Sequence, residues 1–215
     1  MIRAVLFDLD GTLADTAPDL AGAVNRQRTH RGLAPLPLEV LRPHASSGAR
    51  GLIGAGLGIT PAHEIFEALR QEFLDLYETH LVVESTLFEG VEELLQTIEE
   101  RALAWGIVTN KATRFTVPLV QRIGLEAAGC LVCGDTTPHA KPHPAPLLEA
   151  ARRIGVAPEA CLYVGDDLRD IQAARAAGMG AIAAAYGYLG TGGPLADWAA
   201  DAIIDLPLDL LDHLP

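Results

Sequence analysis

The chain has 215 residues, a formal net charge of −12, 49% hydrophobic residues and 20% charged residues. This balance is typical of a folded globular protein with one large domain, or a core with a smaller insertion, and it excludes a disordered chain. No stretch concentrates Lys and Arg, which argues against nucleic acid and anionic membrane surfaces as partners. Cys130, Cys133 and Cys161 lack a second pair of zinc ligands and indicate buried thiols of a reduced, cytoplasmic protein.

Short apolar runs alternate with segments of helical periodicity along most of the chain. Residues 2–7 predict a strand covered on both faces, and this run is too short for a signal peptide. Further strands are predicted at residues 104–108, 130–133, 161–164, 180–185 and 202–204. Helices are predicted at residues 90–101, 115–123, 144–154 and 171–177. This alternation indicates an α/β fold with a doubly wound, Rossmann-like parallel sheet.

The segment from residue 16 to residue 83 breaks the alternation. Residues 65–77 follow helical spacing, and another helix begins near Leu20 and is closed by Gly32. The glycine-rich residues 46–60, "SSGARGLIGAGLGIT", predict a mobile connection joined to a short helix. We therefore expect a core built from residues 1–15 and 84–215, with an all-helical insertion at residues 16–83.

One uncharged stretch, residues 176–196, is long enough to span a bilayer. Its glycines and Pro194 favour a strand followed by a loop over a membrane helix.

Polar residues follow the predicted strands at the points where the strands end. The first strand is followed by Asp8 and Asp10, the second by Thr109 and Asn110, and the strand at residues 161–164 by Asp166 in "GDDLRD". The carboxyl ends of parallel strands meet at one edge, where ligands of open sheets bind. The segment "KPHP", residues 141–144, brings Lys141 towards the same edge, and Lys141 is one of only two lysines.

Several carboxylates in one crevice repel each other, and a divalent cation relieves this repulsion. Oxygen ligands favour Mg²⁺, and Mg²⁺ with a lysine suits a dianionic phosphate. Asp8 can then attack phosphorus as a nucleophile. Asp10, two residues on in extended backbone, points the same way and can protonate the leaving alkoxide and later take a proton from water.

Four motifs resemble those of the haloacid dehalogenase-like phosphatases, in the order found in that family. They are "DLDGTL" (residues 8–13), "VTN" (108–110), "KPHP" (141–144) and "GDDLRD" (165–170). The resemblance implies Asp8 as nucleophile and Asp10 as general acid and base, with Asp8, Asp166 and the backbone carbonyl of Asp10 as Mg²⁺ ligands. It also implies Thr109, Asn110 and Lys141 as the residues that hold the phosphate.

The resemblance extends to the helical insertion, which is similar to the cap of the phosphoglycolate phosphatase and β-phosphoglucomutase group. Arg50 is the candidate within it for binding a carboxylate or hydroxyl of the substrate. Asp170 is expected to orient Lys141 or a metal-bound water, whereas Asp167 stands where many relatives have a small hydroxyl residue. Lys111 receives no role, and "YGY" (residues 186–188) is interpreted as packing and turn.

The function expected from these motifs is Mg²⁺-dependent hydrolysis of a small phosphorylated metabolite, by a monomer or homodimer. Within the group, the sequence resembles phosphoglycolate phosphatases first, and also the N-acetylmuramic acid 6-phosphate phosphatases of cell-wall recycling. A phosphosugar mutase uses the same nucleophile and a similar cap. A receiver domain would be much shorter, and a haloacid dehalogenase would need neither Mg²⁺ nor Asp10.

Overall fold

The computed structural model describes residues 1–215 and contains eight strands. In chain order they are β1 (Ala4–Phe7), β2 (Ala14–Asp15), β3 (Thr86–Leu87), β4 (Ala104–Val108), β5 (Leu131–Val132), β6 (Cys161–Gly165), β7 (Gly180–Ala184) and β8 (Ala202–Ile204). Six of them form one sheet in the order β5-β4-β1-β6-β7-β8, and all neighbouring pairs are parallel. The predicted doubly wound parallel sheet is therefore confirmed.

Eight α-helices connect or precede these strands. They are α1 (Ala17–His30), α2 (Leu38–Leu41), α3 (Gly48–Leu57), α4 (Phe66–Thr79), α5 (Val91–Glu100), α6 (Thr113–Arg122), α7 (Ala145–Ile154) and α8 (Leu168–Ala177). Gly155 and Gly178 end α7 and α8 in the left-handed conformation, as their positions in the sequence predict. No helix combines the length and the apolar composition that a membrane span requires.

Strand β1 is buried on both faces because helices cover both sides of the sheet. Val5 and Phe7 point into one apolar core, and Ala4 and Leu6 point into the other. Alternate residues of one strand face opposite sides, so a strand between two cores must be apolar throughout. This explains the unbroken apolar run that precedes Asp8.

Helices α1 to α4 lie between β2 and β3 in the chain, within the segment for which a helical insertion is predicted, and their buried apolar side chains form one cluster with Phe115 and Tyr188. Residues 46–60 are predicted to form a mobile connection joined to a short helix, and residues 48–57 form the ten-residue helix α3, so most of this segment is helical. Two of its glycines allow close packing: a side chain at Gly56 would collide with Val24 of α1, and one at Gly51 with His44. Glycine composition alone does not distinguish a loop from a closely packed helix.

The chain leaves and re-enters the core through a two-stranded antiparallel ribbon of β2 and β3. Asp19, buried in the first turn of α1, fixes the returning segment. Its carboxylate accepts hydrogen bonds from the backbone N–H groups of Val83 (3.0 Å), Glu84 (3.0 Å) and Ser85 (2.9 Å). These charge-assisted bonds hold both connections of the insertion together at the edge of the core.

Candidate active site

The predicted site residues converge where the strand order reverses. Strand β1 lies between β4 and β6: the next strands of the sheet in the chain, β4 and β5, lie on one side of β1, and the later strands β6, β7 and β8 lie on the other. Asp8, Thr109 and Asp166 are the residues that directly follow these three neighbouring strands. An open parallel sheet forms its ligand crevice at such a reversal.

Lys141 lies at the centre of this crevice with its side chain only 2% exposed. Its Nζ lies 2.9 Å from Asp8 Oδ1 and 2.7 Å from Asp170 Oδ1. It also donates to the hydroxyl of Tyr163 at 2.7 Å and to the carbonyl of Val108 at 2.9 Å. Burial alone would lower the pKa of Lys141, but the carboxylates of Asp170 and Asp8 raise it, so the group remains an ammonium.

Asn110 uses its side chain to hold the backbone of Lys141. Its Nδ2 donates to the Lys141 carbonyl and its Oδ1 accepts from the Lys141 N–H, both at 2.9 Å. Two hydrogen bonds to one residue fix the position of the backbone from which the ammonium extends. Thr109 is buried, and its hydroxyl accepts from the Lys111 N–H at 3.1 Å.

Asp166 is a buried carboxylate without a cationic neighbour. It accepts hydrogen bonds from the Thr12 hydroxyl (3.2 Å) and the Tyr188 N–H (2.8 Å). Gly11 and Gly187 pass so close to it that a side chain at either would collide with the carboxylate or its Cβ. The "YGY" segment therefore packs and turns as predicted, and it also supplies a backbone donor to the site.

The donor set around Asp166 fits a divalent cation. Carboxylate oxygens of Asp8, Asp166 and Asp170 lie within 4.8 Å of one another. Burial raises the pKa of Asp166 well above its usual range, and the charges of Asp8 and Asp170 add to this rise. Burial, partly opposed by Lys141, also raises the pKa of Asp8. A hard divalent cation would remove this excess of negative charge, and oxygen ligands of this kind suit Mg²⁺.

Asp10 lies beside the other lysine of the chain. Its Oδ1 accepts a hydrogen bond from the Thr16 hydroxyl and lies 3.0 Å from Lys111 Nζ. Lys111 is thus a site residue that sequence reasoning missed. Two signals pointed to it: lysine is rare in this chain, and Lys111 directly follows Thr109 and Asn110.

The start of α8 contributes a second set of charges. Asp167 is the N-cap of α8: its Oδ1 accepts from the Arg169 N–H (2.9 Å), while Asp170 Oδ2 accepts from the Asp167 N–H (3.0 Å). The Arg169 guanidinium pairs with Asp167 at 2.8 Å and donates to the backbone carbonyl of Ser46 in the insertion at 2.7 Å. Asp167 therefore caps α8 and aligns Arg169 towards the insertion.

A cavity of about 380 Å³ lies between these carboxylates and the helical insertion. Arg50, the candidate for binding a substrate carboxylate or hydroxyl, lines this cavity and is exposed there without a carboxylate partner. The other basic residues of its wall are Arg70, Lys111, Arg114, Lys141 and Arg169. Its large apolar side chains are Leu20, Phe73, Leu74, Tyr77 and Phe115. The lining of the cavity thus includes the carboxylates described above, six basic side chains and a group of large apolar side chains.

The family model described as haloacid dehalogenase-like hydrolase matches residues 5–184, which include the four motifs at residues 8–13, 108–110, 141–144 and 165–170. The chain belongs to the haloacid dehalogenase-like hydrolases. The resemblance in the four motifs is thereby confirmed.

Similar proteins include phosphatases with two different names. An N-acetylmuramic acid 6-phosphate phosphatase of Pseudomonas aeruginosa is 44% identical over 99% of this chain and 95% of its own. A phosphoglycolate phosphatase of Xanthomonas campestris pv. campestris is 48% identical over 97% of this chain and 94% of its own. With the family match, these relatives identify the chain as a phosphatase.

The fold agrees with solved structures of the same family. The crystal structure of a predicted phosphoglycolate phosphatase from Haemophilus somnus superimposes with a TM-score of 0.86 and 28% sequence identity. The match covers 100% of this chain and 98% of that one, so it includes the helical insertion as well as the sheet.

Proposed function

We propose that this phosphatase hydrolyses a small phosphomonoester, through a phosphorylated Asp8 and with Mg²⁺. The observation that carries the proposal is the convergence of Asp8, Asp10, Lys141 and Asp166 at one end of the cavity. Asp8 supplies a nucleophile and Asp10 supplies a group that transfers protons. The buried ammonium of Lys141 supplies positive charge next to the phosphoryl group.

Asp8 is suited to attack because its two oxygens differ. Oδ1 accepts from the Leu9 N–H at 2.7 Å and contacts Lys141, whereas no protein group donates a hydrogen bond to Oδ2. In the first step Oδ2 forms a bond to phosphorus while the bond from phosphorus to the leaving oxygen breaks. The product is a phosphorylated Asp8 and an alcohol.

Asp10 acts as the general acid in the first step and as the general base in the second. It donates one proton to the leaving oxygen in the first step, and takes one from water in the second. The water oxygen then bonds to phosphorus, the Asp8 carboxylate leaves as inorganic phosphate forms, and Asp10 is protonated again. One catalytic cycle therefore consumes one water and leaves both aspartates in their starting states.

Asp8, Asp166 and the backbone carbonyl of Asp10 would hold Mg²⁺, which supplies charge neutralisation for the transferred phosphoryl group. Asp170 contacts Lys141 directly and so is assigned to orienting that ammonium. The Asn110 side chain, predicted to hold phosphate, acts through the backbone of Lys141.

The helical insertion, residues 16–83, is proposed to act as a cap over the cavity. It contributes Arg50, Arg70, Phe73 and Tyr77 to the wall opposite the carboxylates. A cap in this position excludes water during the first step and contacts the organic part of the substrate.

The substrate is proposed to be a phosphorylated carboxylic acid. Phosphoglycolate, named for one group of relatives, and N-acetylmuramic acid 6-phosphate, named for the other, both fit the unpaired Arg50. Phosphoglycolate stays a candidate, but its two-carbon acid offers almost nothing apolar to the wall of Phe73, Leu74 and Phe115. The apolar wall favours the larger sugar phosphate.

Steady-state phosphate release from both substrates, with and without Mg²⁺, tests the proposed function. We expect kcat/KM to be at least about tenfold higher for N-acetylmuramic acid 6-phosphate, a difference of about 1.4 kcal/mol. A chelator is expected to abolish turnover and added Mg²⁺ to restore it. The reverse preference would reassign the substrate to phosphoglycolate, and full activity in chelator would disprove the metal requirement.

Arg50→Ala is expected to lower kcat/KM for the carboxylated substrate by about tenfold or more, because a charge-assisted hydrogen bond is lost. The same variant should change kcat/KM for p-nitrophenyl phosphate, which carries no carboxylate, by less than about twofold. Parallel kinetics on both esters measure this contrast. Equal losses on the two esters would show that Arg50 does not bind the carboxylate.

A further inference from the structure

Lys111 is a buried cation to which the mechanism above gives no part. Its side chain is 8% exposed, and its Nζ lies 3.0 Å from Asp10 Oδ1 in the core. The same Nζ donates to the hydroxyl of Tyr77 at 3.0 Å. Tyr77 belongs to α4, so one ammonium connects the insertion with the proton-transfer carboxylate.

The contacts of Asp10 all fall on one of its oxygens. Thr16 and Lys111 both meet Oδ1, and no protein group donates a hydrogen bond to Oδ2. A carboxyl group that transfers a proton must present one oxygen to the leaving group at hydrogen-bond distance. Holding Oδ1 from two sides fixes the carboxyl plane and leaves Oδ2 for this task.

Tyr77 is itself fixed by aromatic packing across the boundary between insertion and core. It is 2% exposed and stacks on Phe73 of the insertion, with ring centroids 6.4 Å apart. It also meets Phe115 of α6 in the core, with centroids 5.4 Å apart. The position of its hydroxyl therefore depends on the insertion being seated on the core.

We propose that Lys111 and Tyr77 form a positioning pair that holds Asp10 for proton donation only while the insertion is seated over the cavity. This inference rests on the proposed function, since it assigns the leaving-group proton to Asp10. It predicts that the two residues matter most when the leaving oxygen is strongly basic, because such an oxygen must be protonated as its bond breaks.

A series of aryl phosphates of similar shape tests the pair, from phenyl phosphate to p-nitrophenyl phosphate. The measured quantity is kcat/KM, which reports the first step up to release of the phenol. Lys111→Met is expected to lower kcat/KM for phenyl phosphate by about 10²-fold, and for p-nitrophenyl phosphate by less than about threefold. Tyr77→Phe is expected to show the same selectivity with a loss of about tenfold on phenyl phosphate.

Asp10→Asn provides the matched comparison, because it removes the proton-transfer group itself. Adding Lys111→Met to Asp10→Asn should not increase the dependence of kcat/KM on the leaving group any further. The effects of substitutions at neighbouring residues that act as a unit are not additive. Arg152→Met removes a cation whose side chain is 70% exposed and serves as a control with wild-type kinetics.

Equal losses on all esters in Lys111→Met would overturn the proposal and assign Lys111 to attracting phosphate. The proposal would also be overturned if Lys111→Met lost more kcat/KM on phenyl phosphate than on p-nitrophenyl phosphate while Tyr77→Phe kept wild-type kcat/KM on both. The insertion would then play no part in positioning Asp10. Tyr77→Phe removes only a hydroxyl, so the dependence of kcat/KM on the leaving group can still be measured in this variant if Lys111→Met does not fold. A wild-type protein that hydrolyses none of the esters would instead disprove the proposed function.

Discussion

Asp8→Asn is expected to abolish turnover, with kcat at least about 10³-fold below wild type, while the protein folds and melts at or above the wild-type Tm. The amide oxygen is a poor nucleophile, but it can still accept the hydrogen bond from the Leu9 N–H. Removing one of three crowded carboxylates also relieves repulsion with Asp166 and Asp170. Phosphate release and thermal melting of the same preparation measure the two effects.

Rapid acid quench followed by mass spectrometry identifies the phosphorylated residue directly. Wild-type protein should carry phosphate on the peptide that contains Asp8, and Asp8→Asn should carry none. Asp197→Asn removes an exposed carboxylate outside the cavity and is the matched control, with unchanged activity and labelling. Residual activity above a few per cent in Asp8→Asn, or label on another residue, would disprove Asp8 as the nucleophile.

The sheet and the convergence of the acidic residues followed from the sequence because they depend on local rules. An apolar run that must face two cores predicts a buried parallel strand, and parallel strands end at the same edge. Those two rules place Asp8, Thr109 and Asp166 together before any coordinate is known. The bounds of β4 and β8 were also predicted: β8 lies between Asp201 and Asp205, and β4 is followed by the polar residues Thr109 and Asn110.

Other features depend on contacts that no local pattern records. Gly56 of α3 is explained by the side chain of Val24 on α1, which lies more than 30 residues earlier in the chain and would collide with a Cβ at Gly56. The hydrogen bond from Lys111 to Tyr77 and the hydrogen bond from Arg169 to Ser46 each join the core to the insertion. Such pairs become visible only when the packing of the insertion on the core is known.

Lys141→Met is expected to remove both activity and stability. The ammonium lies between Asp8 and Asp170, and Met leaves the buried carboxylate of Asp170 and the largely buried carboxylate of Asp8 without their cation. Breaking a buried ion pair from one side costs about 3–5 kcal/mol of the free energy of unfolding. Denaturant unfolding in chelator measures this cost, and kcat should fall by about 10³-fold because the phosphoryl group loses an adjacent positive charge.

The double variant Lys141→Met/Asp170→Asn separates the structural role of Lys141 from its catalytic role. Neutralising Asp170, which is 1% exposed, removes one of the two unpaired charges and should restore about 1–3 kcal/mol of stability. Activity should stay lost, because Asn supplies no positive charge to phosphate. If the double variant instead regained activity along with stability, Lys141 would be a residue that only keeps Asp8 and Asp170 apart. The sheet would then present the nucleophile, and the stabilisation of the transferred phosphoryl group would have to come from other positive charges around the cavity.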